Sequence, residues 1–257
     1  MNILVCMKAV PVTAEVQVDG QFRLQRDGVK LQWNIADEAA LEAALQLRSQ
    51  SGTVTVLTMG PKKLEDPLRE LLARGADRAV LLTDPKMAGA DTLATANALA
   101  ATVEYLGRFD LILCGRRAID GETGQVPGMV AGKLNFPCVT NAEGLSIENN
   151  TLVLQRRLES GNARQQICLP AVVSVCEYTY SLRLPGIMAM RRARQKQVEI
   201  LDAAALQLTP EVCGLKGSAT KVVAMCAKFP GLRKGPREQD AAVGAAQLVR
   251  ICREVGQ

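Results

Sequence analysis

The segment at residues 115–128 combines residue types that are suited to holding an anion. It contains four glycines, the adjacent Arg116 and Arg117, and the hydroxyl and amide side chains of Thr123 and Gln125. Glycines permit close backbone approach, arginine pairs with phosphate, and a helix that begins nearby points free N–H groups at an anion. The segment therefore predicts a phosphate or nucleotide site. A glycine-rich loop with a solvated basic edge is the alternative, because the spacing matches neither a P-loop nor a dinucleotide fingerprint.

Regular hydrophobic patterns predict the elements that position this segment. Strand-like apolar runs lie at residues 3–7, 54–59, 79–82 and 111–114, and helical periodicity lies between them at residues 36–48, 61–74 and 91–106. Such alternation is typical of an α/β fold in which a doubly wound, mostly parallel sheet is covered by helices on both faces. We expect Asp37 to be the N-cap of the first helix. Ligands of such sheets bind outside the carboxyl ends of the strands, which is where residues 115–128 begin.

The pattern changes after Pro137. Residues 152–158 and 164–169 alternate like two antiparallel strands, and residues 171–176 have the pattern of a further buried strand. We expect an antiparallel extension of the sheet. The remaining chain carries loop signals and little core of its own, apart from a final helix at residues 241–255. The sequence therefore predicts a nucleotide-binding α/β domain at residues 1–200 and a C-terminal arm at residues 201–257 that packs on a partner.

Composition argues against several classes of function. The net charge of +5 comes from 31 basic and 26 acidic residues, and aromatic residues make up only 3%, so a nucleic-acid partner is not expected. Histidine is absent, which removes the commonest general base and transition-metal ligand. The eight cysteines form no Cys-x-x-Cys pair and are expected to be reduced, buried thiols. We predict no metal site and no catalytic side chain.

The first residues and the hydropathy of the chain indicate where in the cell the protein is expected. Residues 1–8 carry no basic region before the apolar run and no small-residue cleavage site after it, so they predict a strand and not a signal peptide. No apolar stretch approaches the roughly 18 residues of a membrane span. The expectation is a cytoplasmic protein without a membrane span.

Three further segments lie at the predicted crevice, and with residues 115–128 they resemble a known family. Residues 6–9 follow the first strand, Asn34 and Asp37 lie at the entry to the first helix, and Met59 and Gly60 follow the second strand. Together with the Ala-Ile-Asp-Gly run at residues 118–121 and with Gln125, they make residues 1 to about 200 similar to the β subunit of electron transfer flavoproteins. The resemblance implies a fold like that of the adenine-nucleotide α-hydrolases.

The resemblance also implies a cofactor, FAD or alternatively AMP in the same crevice. Residues 87–95 and 214–218 are similar to segments of the FAD-holding, bifurcating branch, which favours FAD. A helix N-cap is the alternative role for Asp91 and Thr92. The cofactor-binding residues implied are Cys6, Met7, Lys8, Ala9, Asn34, Asp37, Met59, Gly60, Asp91, Thr92, Thr95, Gly115, Arg116, Arg117, Ala118, Ile119, Asp120, Gly121, Glu122, Thr123, Gly124, Gln125, Val126 and Pro127.

The partners implied are an electron transfer flavoprotein α subunit, which carries a further FAD, and a flavin-dependent dehydrogenase. Leu184, Arg191 and Arg192 are the predicted docking residues. The implied function is that of an electron carrier subunit in a heterodimer. The alternatives are a stress-protein-like module that senses ATP or AMP, and an adenylating enzyme of related fold. The latter requires a Ser- and Gly-rich loop at the first strand, which residues 8–11 do not offer.

Overall fold

The computed structural model describes residues 1–12, 30–148, 151–223 and 240–255. The chain divides into two compact units, Met1–Val223 and Ala224–Gln257, and each is described by itself. In the second unit, helix α6 spans Ala241–Val255 and confirms the final predicted helix. Within the described residues, no helix has the length and apolar character needed to cross a membrane.

The first unit alternates strands and helices as predicted. Its strands are β1 (Asn2–Cys6), β2 (Ala9–Pro11), β3 (Leu31–Trp33), β4 (Thr53–Met59), β5 (Arg78–Leu82), β6 (Leu111–Gly115), β7 (Cys138–Glu148), β8 (Thr151–Leu158), β9 (Gly161–Ile167), β10 (Ala171–Val175) and β11 (Glu199–Leu201). Its helices are α1 (Ile35–Leu47), α2 (Glu65–Ala73), α3 (Thr92–Leu106), α4 (Val126–Leu134) and α5 (Ile187–Ala193). Short 3-10 turns lie at Lys62–Leu64 and Pro85–Met87.

Nine strands form one sheet in the order β11-β5-β4-β1-β6-β10-β7-β8-β9. The pairs from β11 to β7 are parallel, and β8 and β9 extend the sheet in antiparallel fashion, which confirms the predicted fold class. A separate antiparallel ribbon joins β2 and β3. From β1 the chain builds towards β4 and β5 and then returns to β6 on the other side of β1. Such a switch in strand order opens a crevice at the carboxyl ends of β1 and β6.

Strand β1 is buried on both faces, so helices must cover both sides of the sheet. Ile3 and Val5 pack in the core cluster that contains the leucines and alanines of α1 and α2. Leu4 packs in the opposite cluster with residues of α3 and α4, such as Leu99 and Val130. Helices α1 and α2 therefore cover one face of the sheet, and helices α3 and α4 cover the other.

One local prediction needed correction, and one strand needed to be added. Helix α1 begins at Ile35 with Asn34 as its N-cap residue, so the expected capping role of Asp37 is wrong, and Asp37 lies buried in the first turn. Strand β7 was not predicted because only Ala142 in it is buried and its pairing is irregular. Asn141 and Gly144 in β7 have φ of 61° and 60°, which breaks the alternation that marks a regular strand.

Within the first unit, the end of β11 and the residues that follow it pack against the sheet. Leu201, Ala203 and Cys213 are buried in the cluster that covers the α3 and α4 side of the sheet. Packing of residues 201–257 on a partner subunit stays a prediction. The seven described cysteines are free: Cys6, Cys114, Cys176 and Cys213 are buried, and Cys138, Cys168 and Cys252 are exposed, while Cys226 lies outside the described residues.

Candidate functional site

Asp37 connects the two strands that border the crevice to helix α1. Its Oδ2 accepts a hydrogen bond from the backbone N–H of Lys8 at 2.8 Å, and its Oδ1 accepts one from the N–H of Gly115 at 2.9 Å. Burial raises the pKa of Asp37 to about 7, against the opposing effect of the hydrogen bonds from Asn34, Lys8 and Gly115. Asp37 is therefore a supporting residue that ties β1, β6 and α1 together beneath the crevice.

Asn34 is fully buried and holds the loop that follows β6. Its Nδ2 donates to the carbonyl of Arg117 at 3.0 Å, and its Oδ1 accepts from the N–H of Ile119 at 3.2 Å. Its own N–H donates to the carbonyl of Lys8 at 2.9 Å. One amide side chain thus satisfies two main-chain groups of the loop and fixes the loop against the end of β1.

Lys8 and Asp120 form an ion pair across the crevice. Lys8 Nζ lies 2.6 Å from Asp120 Oδ1, with the Asp120 side chain 9% exposed and that of Lys8 43% exposed. The loop is therefore held by main-chain and charged contacts together. The structure joins several of the predicted site residues in one connected network, namely Lys8, Asn34, Asp37, Gly115, Arg117, Ile119 and Asp120.

The two loop arginines face carboxylates of their own chain. Arg116 forms a bidentate pair with Glu177, with Nε 2.9 Å from Oε2 and Nη2 on Oε1. Burial opposes the charge of Glu177, but the bond from Arg116 keeps the pKa of Glu177 below its usual value. Arg117 Nη1 lies 3.8 Å from Glu122 Oε1. An anion at the loop would compete with these carboxylates, and no local sequence pattern pointed to Glu177.

Two helix N-termini meet beside the loop. Helix α3 begins at Thr92, and helix α4 begins directly after Gln125. The two helix starts are in contact, because Thr92 Oγ1 donates a hydrogen bond to Gln125 Oε1 at 3.1 Å. Pro127 occupies the first turn of α4 and has no N–H to donate. The remaining free N–H groups and the positive ends of both helix dipoles favour an anion at this point.

The loop itself is open to solvent. Residues 121–125 are exposed, and Glu122 and Gly124 adopt left-handed φ of 50° and 63°. A Cβ placed on Gly121 or Gly128 would meet no atom within 4 Å, which leaves space along the loop. Hydroxyl, amide, guanidinium and helix N–H donors around such space fit the phosphates of a nucleotide.

The second flank of the crevice is formed by the ends of β4 and β1. Met59 is half-buried, and the N–H of Gly60 donates to the carbonyl of Leu82 at 3.0 Å, which directs the chain out of the sheet. Thr58 has a buried hydroxyl that makes no hydrogen bond within the described part of the chain.

Cys6 and Cys114 are register partners on adjacent strands, and contact with Cys6 together with burial raises the pKa of the Cys114 thiol. The Cys114 thiol therefore acts as a neutral core group.

Asp91 confirms the helix-cap alternative and has an additional partner. Its Oδ1 accepts from the N–H of Ala94 at 2.9 Å, while its Oδ2 accepts from the N–H and the hydroxyl of Thr220 at 2.9 and 3.0 Å. Its own N–H donates to Ser218 Oγ at 2.9 Å. Burial opposes its charge, but these hydrogen bonds hold the pKa of Asp91 below its usual value. The segment around residues 214–220 is thereby fixed to the N-terminus of α3.

The predicted docking residues lie apart from this network. Leu184 is 85% exposed, and Arg191 and Arg192 are exposed on helix α5. Ile187 and Met188 add large exposed apolar side chains to the same stretch. We call Leu184, Ile187 and Met188 the apolar docking segment. Its exposure is unusual for a cluster of large apolar residues.

Comparison with known proteins identifies the family. The family model described as the electron transfer flavoprotein domain matches residues 21–206. The electron transfer flavoprotein subunit beta of Thermoanaerobacterium thermosaccharolyticum is 44% identical over 227 residues, which cover 87% of each chain. The corresponding subunit of Megasphaera elsdenii is 41% identical over 231 residues, which cover 86% of each chain. The chain belongs to the electron transfer flavoprotein β-subunit family.

The resemblance found in the sequence is thus confirmed, and the chain has the role of an electron transfer flavoprotein subunit. A further relative is the subunit CarD of the caffeyl-CoA reductase-Etf complex of Acetobacterium woodii, 40% identical over 225 residues, which cover 86% of each chain. The alternatives of a stress-protein-like sensor and an adenylating enzyme are not favoured by these matches. The network of Lys8, Asn34 and Asp120 therefore lies in an electron transfer flavoprotein β subunit.

Proposed function

We propose that this β subunit pairs with an α subunit and carries electrons between a flavin-dependent dehydrogenase and an acceptor, with FAD or AMP in the crevice between β1 and β6. The observation that carries the proposal is the meeting of the α3 and α4 N-termini beside the donor-rich loop held by Asn34. Phosphates of a dinucleotide or mononucleotide match these donors in charge and geometry.

Individual residues have distinct tasks in this proposal. Thr123, Gln125 and the free N–H groups at the start of α4 hold the phosphates, and Arg116 and Arg117 supply positive charge. Asn34 and Asp37 hold the loop and the strand ends in place beside the nucleotide. The bound flavin supplies the redox chemistry, and no side chain of this subunit acts as an acid, base or nucleophile.

FAD is the nucleotide we favour, with AMP as the alternative in the same crevice. Residues 87–95 and 214–218 resemble segments of the FAD-holding branch, and the structure joins these two segments through Asp91 and Ser218. One relative bears the name of a caffeyl-CoA reductase-Etf complex. We therefore take a flavoenzyme that acts on a CoA thioester as the partner class, with the α subunit carrying a further FAD.

The apolar docking segment and the basic residues of α5 form the proposed contact with that dehydrogenase. Leu184 supplies an apolar anchor that enters a pocket of the partner, and Arg191 and Arg192 attract an acidic surface around it. This division separates the surface that recognises a partner from the crevice that holds the nucleotide.

The test is to co-express the chain with its α subunit, denature the purified heterodimer, and quantify released FAD and AMP by chromatography. Two FAD per heterodimer support a flavin in this subunit. One FAD with one AMP supports the AMP alternative. A heterodimer that releases one FAD and no second nucleotide contradicts the assigned crevice.

A matched pair of variants assigns the nucleotide to this subunit. Gln125→Glu keeps the size of the side chain but adds a negative charge where the proposal places phosphate, so we expect loss of one nucleotide per heterodimer. Gln166→Glu makes the same change at an exposed position on β9 and leaves the content unchanged. Equal nucleotide content in both variants would place the phosphates elsewhere.

A further inference from the structure

Glu42 is a charged residue inside the apolar face of helix α1. Its side chain is only 6% exposed, and its neighbours on the helix, such as Leu41 and Ala43, belong to the core. A carboxylate in that environment loses hydration and destabilises the fold unless its charge is paired and hydrogen-bonded. Glu42 takes no part in the crevice network, so its burial requires another explanation.

Arg183 provides the paired charge from a distant part of the chain. Its Nε lies 2.9 Å from Glu42 Oε2 and its Nη2 lies 2.7 Å from Oε1, and its backbone N–H also donates to Oε2 at 3.2 Å. Gln46 Nε2 donates to Oε1 at 3.0 Å. The two carboxylate oxygens of Glu42 therefore accept four hydrogen bonds, and three of them come from a single residue.

The carbonyl of Arg183 is fixed as well. Arg74 Nη1 donates to it at 3.0 Å, and Arg74 is itself held by Glu70, with Nη2 2.7 Å from Oε1. The N–H, the carbonyl and the guanidinium of Arg183 are thus all bound to α1 and to the end of α2. Arg183 is the last residue held in this way before the chain enters the apolar docking segment.

The residues that follow contrast sharply with Arg183. Leu184 is 85% exposed and Ile187 is 86% exposed, and residues 181–186 belong to no helix or strand. An irregular segment without its own backbone pairing needs an external anchor to keep one conformation. A pre-ordered surface binds more tightly than a mobile one, because less conformational entropy is lost on association.

We propose that Glu42 is a positioning residue for partner docking: it fixes Arg183 so that Leu184 is presented in one conformation to the dehydrogenase. This inference rests on the docking part of the proposed function. Glu42 contacts neither the partner nor the nucleotide, and it acts only through Arg183.

The first test is limited trypsin digestion of the heterodimer, with fragments identified by mass spectrometry. Trypsin cleaves after arginine, and the bond after Arg183 is protected while that side chain and backbone are bound to Glu42. Glu42→Gln removes the charge and should speed cleavage after Arg183 about tenfold, with cleavage after Arg191 unchanged, because protection follows the population of the opened segment. Glu104→Gln makes the same change at an exposed position on α3, away from Arg183, and as the matched control it leaves both rates as in wild type.

A second variant separates the loss of the Arg183 anchor from a general loss of folding. Glu42→Met fills the buried position with an apolar side chain of similar length, and Arg183, whose side chain is 45% exposed, can turn to solvent. The same acceleration after Arg183 is expected. Unchanged cleavage after Arg183 in both Glu42 variants overturns the proposal.

The second test measures docking with a purified acyl-CoA dehydrogenase, its acyl-CoA substrate, and the heterodimer as the varied electron acceptor. Leu184→Ala should raise KM for the heterodimer at least about fivefold without changing kcat. Glu42→Gln should raise KM by a similar factor, and the double variant should show little further increase, because both changes remove the same anchor. Additive effects, or a normal KM for Glu42→Gln beside a raised KM for Leu184→Ala, overturn the positioning role.

The two tests fail separately. A normal KM for Leu184→Ala, or no turnover with the wild-type heterodimer, contradicts the docking part of the proposed function. The trypsin result in that case still decides whether Glu42 fixes Arg183.

Discussion

Gly115 donates its backbone N–H to Oδ1 of Asp37 at 2.9 Å, and the same approach leaves no room for a side chain on Gly115. A Cβ at this position would lie 2.2 Å from that oxygen and 2.7 Å from the backbone nitrogen of Asp37. The end of β6 and the first turn of α1 therefore touch through main-chain atoms. This contact sets the floor of the crevice.

Gly115→Ala should destabilise the heterodimer by about 3 kcal/mol, because relief of the clash requires movement of helix backbone and not only of a side chain. Denaturant unfolding measures the loss. Gly128→Ala is the control, since its Cβ would meet no atom within 4 Å. It should be neutral or stabilising by up to about 1 kcal/mol, as expected for alanine in a helix. Equal losses in both variants would contradict the close approach at Gly115.

Asp37 should make stability depend on pH in the neutral range. Its pKa is raised from 3.8 to about 7 in the folded protein, so between these values only the folded state holds the proton. Unfolding then releases a proton, and the contribution of Asp37 to the free energy of unfolding is full below pH 3.8 and is lost as the pH rises through about 7. The steepest slope is about 1.4 kcal/mol per pH unit.

Comparison with Asp37→Asn isolates this effect, because asparagine does not titrate. Urea unfolding at several values between pH 4.5 and 8 should show wild type losing stability relative to the variant up to about pH 7 and no further change above it. The absence of histidine removes imidazole titration of this chain from that window. A difference that is constant with pH would show that Asp37 stays ionised throughout.

Asn34→Ala should loosen the loop after β6. The variant leaves the carbonyl of Arg117 and the N–H of Ile119 without the partners that they have in the structure, at a cost of about 2 kcal/mol or more. Hydrogen exchange should accelerate at residues 117–119. Asn97→Ala is the matched control, because Asn97 makes a single exposed bond to the carbonyl of Val212 and its loss should not change exchange in the loop.

Thr220 should contribute to the stability of the α3 N-terminus through its hydroxyl. Thr220→Val removes the bond to Asp91 Oδ2 and should cost about 1 kcal/mol, with faster hydrogen exchange at residues 214–220. Thr220→Ser keeps the hydroxyl and should behave like wild type. The same loss in both variants would assign the effect to the methyl group and not to the hydrogen bond.

The sequence allowed prediction of the parallel core and the position of the crevice, because these follow from short-range patterns. Buried strands such as β1 and β6 are continuous apolar runs. The anion site that glycine, arginine and threonine indicate after β6 stays a prediction. The capping role of Asp91 also follows from its place before a helical pattern.

The hydrogen bonds and ion pairs that support the site could not be predicted, because they join residues that lie far apart in the chain. Asn34 with Arg117, Arg116 with Glu177, and Glu42 with Arg183 leave no trace in local periodicity. Aspartate is a common N-cap residue, so the sequence favours that role for Asp37. Only the hydrogen bond from Gly115 shows that its carboxylate points into the protein. Strand β7 was missed because its left-handed residues interrupt the alternation.

The strand order also governs when the crevice is assembled during synthesis. Ile3 pairs on one side with Val54 and on the other with Leu111, so β1 remains half-unpaired until β6 has left the ribosome. The hairpin of β8 and β9 pairs across a short turn and forms with little loss of chain entropy once it emerges. Since Asp37 gains its second donor only with Gly115, the floor of the crevice is completed late in the biogenesis of this subunit.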